Sequence, residues 1–204
     1  MSLFSMKLEA LKPLSPRKRE ILQVAQSLFS EKGYVAASMR DLAEALKIKP
    51  ASLYSHYGAK EEILWDIALR CSYQFLDRVL PLVQVPGTPT EKLSGMVRMH
   101  VQVIIDNIEA SAIFFREWKH LEPGRRKTYA EYIATYEAGF QQVLQEGVES
   151  GAFRPLSVRF TTRLLLSSAN WIHRWYREDG HWDAEKVAGE ISDFVLHGTM
   201  NNGQ

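Results

Sequence analysis

Residues 38–57, SMRDLAEALKIKPASLYSHY, carry side chains suited to gripping a polyanion rather than to making or breaking bonds. Arg40 and Lys49 add positive charge of the kind that neutralises phosphates. Ala51, Ser52 and Ser55 fall on the outward side of a short helix, where small side chains let the backbone approach base edges. The outer face of a helix in a plain bundle normally carries long charged residues, so this pattern is unexpected for one. Pro50, Leu53 and Tyr57 fall on the inward side.

The usual reactive constellations are missing. The six histidines (His56, His100, His120, His173, His181, His197) are scattered, with no spacing that suggests zinc. No glycine-rich phosphate loop, nucleophile elbow or paired inward carboxylates occur. Cys71 reads as a small buried hydrophobe. The expectation is a non-enzyme with no catalytic residue, no metal site and no cofactor.

Aromatic residues mark a second kind of chemistry. Phe114, Phe115, Arg116 and Trp118 share one short helix, and Tyr129, Tyr132, Tyr136 and Phe140 recur at three- and four-residue spacing. Each buried phenol requires a partner, whether neighbour, water or ligand. Trp171 and Trp175 stand four apart beside Arg174 and Arg177. We take Phe75, Met99, Val103, Phe114, Arg116, Trp118, Tyr132, Tyr136, Phe140, Trp171, Arg174 and Trp175 as candidate pocket residues. Ser168, Trp171, Trp175, Ile191, Phe194 and Val195 are the candidate self-association surface. Pocket and interface compete equally for the two tryptophans.

These residues must be positioned by helices. Apolar spacing is helical nearly throughout and no strand-like alternation appears, so the chain reads as all-α with about nine helices. Ser15-Pro16 opens the first, which Gly33 closes. Ser38 with Asp41 opens the second, and Pro50 a very short third ending near His56. A fourth runs from about Lys60 towards Leu80. Thr88-Pro89-Thr90-Glu91 starts a fifth with a capping box, reaching about Glu109. A shorter one covers 111–121, a long one runs from Pro123 to Gly151, another spans roughly 157–177, and Asp183 caps the last. The organisation expected is a flexible arm over 1–14, a DNA-binding head over 15–61 with its helix-turn-helix motif at 38–57, and a body over 62–204.

The 204 residues are 46% hydrophobic and 24% charged, an ordinary globular balance. A net charge of +1 hides an asymmetry: residues 1–60 hold ten lysines and arginines against five acids, so the head is +5 and the remainder −4. A basic end on an acidic body fits a polyanion partner at one end only. Arg17, Lys18 and Arg19 add phosphate contacts, form a minor-groove arm or belong to a disordered basic tail. One cysteine, no apolar leader and no membrane-spanning run point to the cytoplasm.

Residues 15–65 resemble the N-terminal domain of the tetracycline-repressor (TetR) family of bacterial transcription regulators. The resemblance rests on Ile21-Leu22 to Leu28-Phe29, Gly33-Tyr34, Ser38-Met39-Arg40-Asp41-Leu42-Ala43, Leu53-Tyr54-Ser55-His56-Tyr57 and Lys60-Glu61-Glu62-Ile63-Leu64. It implies that Tyr54 contacts the DNA backbone and that Ser38, His56, Tyr57 and Lys60 lie beside phosphates. Two departures stand out: Lys47 replaces the usual turn glycine, and Lys49 the usual serine or threonine cap. Lys49 cannot accept a bond from the free amides of the short helix, so we expect it to face DNA.

Phe-Arg-Glu-Trp at 115–118 and Asn170-Trp171-x-x-Arg174-Trp175-Tyr176-Arg177 are similar to a TetR subgroup whose members often sense acyl-CoA thioesters. The resemblance implies a homodimeric repressor that binds a palindromic double-stranded operator and is released by a small apolar or acyl-CoA effector. The competing reading is a helical lipid or acyl-CoA carrier, or an enzyme, with an incidental basic head.

Overall fold

The computed structural model describes Leu11 and residues 13–200. The expected arm over 1–14 lies almost wholly outside the described residues. Among them stand nine α-helices of five residues or more: α1 Pro16–Lys32, α2 Met39–Ala45, α3 Pro50–Tyr54, α4 Lys60–Val79, α5 Pro89–Asp106, α6 Ile108–Glu117, α7 Pro123–Glu149, α8 Val158–Asn170 and α9 Ala184–Thr199. A single helical turn, Ile172–Trp175, follows α8, and 3-10 turns cover Leu80–Gln84 and Trp118–His120.

The helix starts follow from local chemistry. Ser15 Oγ accepts the Lys18 N–H at 3.3 Å, with Pro16 at the first helical position, where its missing N–H costs nothing. Ser38 and Asp41 close a reciprocal capping box, as do Thr88 and Glu91. The Ser38 bonds hold the Asp41 carboxyl down to a pKa of about 2. Asp183 Oδ1 accepts the Lys186 N–H at 2.8 Å to open α9.

The helical stretch expected over roughly 157–177 is not continuous. It stops at Asn170, whose carbonyl accepts His173 Nδ1–H at 2.6 Å while its side chain is drawn to His100. Trp171 therefore sits at the break, between the end of α8 and the turn Ile172–Trp175. The basic run Arg17–Arg19 is not a tail either. It forms the first turn of α1, with Arg17 paired to Glu20 and Lys18 Nζ 4.4 Å above the Tyr57 ring.

The chain divides into two compact units, one of residues 1–73 and 109–129 and the other of 74–108 and 130–204, so that α4 and α7 each begin in the first and end in the second. In the first, α1 buries Ile21, Leu22, Ala25 and Phe29, a stripe at helical spacing, together with Leu42, Leu53, Ile63, Leu64 and Ile67. In the second, α9 packs along α5 and Ser94 Oγ meets Ser192 Oγ at 2.9 Å. Leu93, Met96, Val97, Val101, Val103 and Ile104 form the buried face of α5.

Candidate nucleic-acid interface and effector residues

The turn between α2 and α3 is built tightly. Ile48 N–H reaches the Ala43 carbonyl at 2.9 Å, which requires Lys47 to take a left-handed φ of 55°. That conformation costs a side-chain-bearing residue roughly 1 kcal/mol relative to glycine. Lys49 then caps α3 by backbone only: its carbonyl accepts the Ser52 N–H at 2.9 Å, and no side-chain cap bond forms. The Lys49 residue itself is exposed.

Only Leu53 of α3 is buried. Lys49, Ala51, Ser52, Tyr54 and Ser55 are exposed, as are Ser38 and Arg40, and His56 is half-buried. Tyr54 is 51% exposed and so takes no part in the core. Ser55 Oγ donates to the Ser52 carbonyl at 2.7 Å, and Ser38 Oγ serves the capping box.

Two expected phosphate neighbours are turned inward. Tyr57 is 2% exposed and its hydroxyl donates to Asp66 Oδ2 at 2.7 Å; burial and that carboxylate push the phenol pKa well up. Its ring fills the core because it lies on the Leu53 side of the chain. Lys60 Nζ donates to the carbonyls of Tyr34 at 2.7 Å and Ala37 at 2.6 Å and lies 4.3 Å from the Tyr34 ring centroid. Partial burial lowers the Lys60 pKa. Both residues brace the head from inside.

The pocket candidates separate into groups. In the second unit, Phe75, Tyr136 and Phe140 surround His100, with ring centroids 5.1, 5.8 and 6.4 Å from its imidazole. Val103 is buried, and Met99 and Tyr132 are half-buried. In the first unit, Phe114 packs on Tyr129 at 5.0 Å, and Trp118 stacks on the same ring at 5.7 Å and 4°. The Tyr129 hydroxyl donates to the Phe114 carbonyl at 3.2 Å. Arg116 is half-buried, and its Nε is buried without a hydrogen-bond partner.

Trp171, Arg174 and Trp175 lie at the surface of the chain. The Arg174 guanidinium stands 5.6 Å from the Trp171 ring, and Trp175 meets Trp182 edge-on at 6.3 Å. Of the self-association candidates, Ser168 and Phe194 are exposed and Ile191 half-buried. Val195 corrects the expectation. It is buried within its own chain, one position around the α9 face from Phe194.

The sequence reading missed several residues. Phe160 and Leu164 are largely exposed on α8, and with Ser168 and with Trp171 just past the helix end they continue a spacing of four, four and three. That spacing was visible in the sequence. His100 was passed over as a scattered histidine, yet its Nδ1 accepts the Tyr136 hydroxyl at 2.8 Å and its Nε2–H meets Asn170 Oδ1 at 3.1 Å.

Comparison with known proteins accounts for both units. Residues 21–67 match the family model described as bacterial regulatory proteins, tetR family, and residues 86–199 match the tetracyclin repressor-like C-terminal domain. The chain is 31% identical over 186 residues to the HTH-type transcriptional repressor KstR2 of Rhodococcus jostii, covering 90% of this chain and 91% of that one. It is similar to the TetR family regulator PfmR of Thermus thermophilus at 36% identity and a TM-score of 0.80, over 87% of this chain and 97% of that one. AibR, solved with isovaleryl coenzyme A and operator DNA, matches at 25% identity and a TM-score of 0.80, over 88% and 98% of the two chains. Among the described residues, no helix is long and apolar enough to cross a membrane. With a capped helix-turn-helix in its first unit and family models matched across both, the chain belongs to the TetR family of DNA-binding bacterial transcriptional regulators.

Proposed function

We propose that this regulator is a cytoplasmic repressor that binds a palindromic operator as a homodimer and leaves it when an acyl-CoA thioester binds. The observation that carries the DNA reading is α3: a five-residue helix with one buried residue, an exposed face of Ala51, Ser52, Tyr54 and Ser55, and a lysine at its start whose side chain makes no cap bond. A major-groove reader needs small side chains at the base edges and donors at the flanks. Arg40, Lys49 and Tyr54 supply the flanking contacts, with Ser38 and His56 at the margin. A helix this short reads too few bases to bind tightly alone, so two heads on a symmetric body are required.

The effector reading draws, within the second unit, on the aromatic group around His100 and on Arg174 beside Trp171. Aromatic walls suit an acyl chain, and guanidinium groups suit the phosphates of coenzyme A. An effector coupled to DNA binding by about 1–3 kcal/mol is enough for regulation. The relative solved with isovaleryl coenzyme A and operator DNA carries both ligands in one protein of this fold, which supports the reading.

The test is a titration of the full-length protein with duplexes selected from random sequence, at several salt concentrations. Lys49→Ser should weaken binding and reduce the slope of log affinity against log salt by about one per head, the signature of one lost phosphate contact. An unchanged slope removes Lys49 from the interface. Short- and long-chain acyl-CoAs added to the complex should release the DNA; no release by any of them removes that effector class.

A further inference from the structure

The first three residues of α4 are bonded to three different parts of the first unit. Lys60 holds the carbonyls of the 34–37 loop, and Glu62 Oε2 accepts the Gly58 N–H at 2.8 Å. Glu61 turns the other way. Its Oε1 accepts the backbone N–H of Glu122 at 2.9 Å, and its Oε2 takes the Arg125 guanidinium. Arg125 in turn lies 5.9 Å from the Trp65 ring, also on α4. The Glu61 and Arg125 side chains are only 15% and 32% exposed, so the pair is partly shielded from water.

One carboxylate thus stands between two helix starts. It lies in the first turn of α4, and it caps α7, whose first residue Pro123 directly follows Glu122. Negative charge is favoured at both ends by the exposed amides and by the helix dipoles. The recognition helix depends on this junction, because a five-residue helix has too little of its own structure to hold a direction. α3 is held through Leu53 and through Tyr57, whose hydroxyl is fixed by Asp66 of α4.

We propose that Glu61 is a positioning residue for operator binding. Through Glu122 N–H and Arg125 it fixes the start of α4, and α4 fixes the direction of α3. The segment 118–125 is therefore a second support of the DNA head, acting beside the α1–α2 core. The proposal rests on the operator-binding reading, and the test separates the two.

The full-length protein is used with duplexes selected by the wild type from random sequence, and with the same half-sites moved one base pair closer or further apart. Glu61→Gln keeps an acceptor for the Glu122 N–H but loses the charge; Arg125→Gln removes the partner. Each should bind the selected duplex about tenfold more weakly, the equivalent of 1.4 kcal/mol, and discriminate less between spacings. The double variant should be no weaker than the worse single one, and Arg125→Lys should recover most of the loss. Thermal midpoints should stay close to the wild type.

Wild-type affinity and spacing preference in both single variants overturn the proposal. So do additive losses, or losses that follow a fall in thermal midpoint, which mark a merely structural pair. If the wild type enriches no sequence at all, the operator reading falls and this proposal falls with it. If it enriches a palindrome and the variants bind that palindrome unchanged, only the proposal falls.

Discussion

His100 has both ring nitrogens committed and almost no contact with water. Its Nδ1 accepts from Tyr136 and its Nε2–H donates to Asn170, which fixes the neutral tautomer. Burial among Phe75, Tyr136 and Phe140 lowers its pKa from 6.5 to about 4. A charged imidazole there would lose its hydration with no carboxylate among the described residues beside it to compensate. The unfolded chain therefore binds a proton near pH 6.5 that the folded chain refuses until about pH 4, so stability must fall as pH drops through that window. The loss attributable to this one group is about 3 kcal/mol per chain. In urea denaturation at fixed protein concentration, most of that loss should appear within the wild-type fall in stability between pH 7.5 and pH 4.5. His100→Gln, less stable at pH 7.5, should show a markedly smaller drop. Equal drops in the two proteins would mean that His100 is protonated in the fold. At this scale the sequence was partly legible. Phe75, Tyr136 and Phe140 stood out as aromatic excess, but the partners of His100 lie 36 and 70 residues away along the chain, and no local pattern records such a pairing.

Elements were more legible than residues, because caps are local. Ser15, Ser38, Thr88 and Asp183 mark helix starts through bonds to residues three positions on, and sequence spacing displays such bonds directly. The break at Trp171 was illegible for the opposite reason: it depends on Asn170 reaching His100 on another helix. Long-range packing also decides the sign of a substitution that local propensity gets wrong. Gly147 sits inside α7, where alanine is intrinsically better by about 1 kcal/mol. A Cβ at that position would stand 2.0 Å from Cδ2 of Phe153, a fully buried ring. Phe153 is further held by its antiparallel bridge to Met200 and by its N–H to the Gly147 carbonyl at 2.9 Å. Overpacking then outweighs propensity, and Gly147→Ala should destabilise by about 1–3 kcal/mol. Adding Phe153→Leu should recover part of the loss in a thermal melt. A Gly147→Ala protein more stable than the wild type would show that the ring moves freely.

For the whole molecule, charge and apolar surface are distributed as a two-headed DNA binder requires. The basic head was visible in a residue count, and so was the alternative of a solvated surface; the family match in both units decides between them. What a count could not show is which apolar residues stay uncovered in one chain. Phe160, Leu164 and Trp171 on and beside α8, and Phe194 on α9, are each more than half exposed, with Phe194 at 76%. Large apolar side chains left in water are costly and mark an interaction surface. We assign these side chains to contact with a second copy of the chain, with Val195 directed into its own core. Phe194→Asp should therefore give a folded monomer in analytical ultracentrifugation, with the helical signal retained. The monomer has a single head and loses the gain of simultaneous engagement, so affinity for a palindrome should fall by at least about a hundredfold. Its binding to an isolated half-site should hardly change. Glu185→Gln is the control: nine residues from Phe194, or half a revolution around α9, it is exposed on the opposite face and should leave both the dimer and the palindrome affinity intact. A dimeric Phe194→Asp protein would move the twofold contact off α9 altogether.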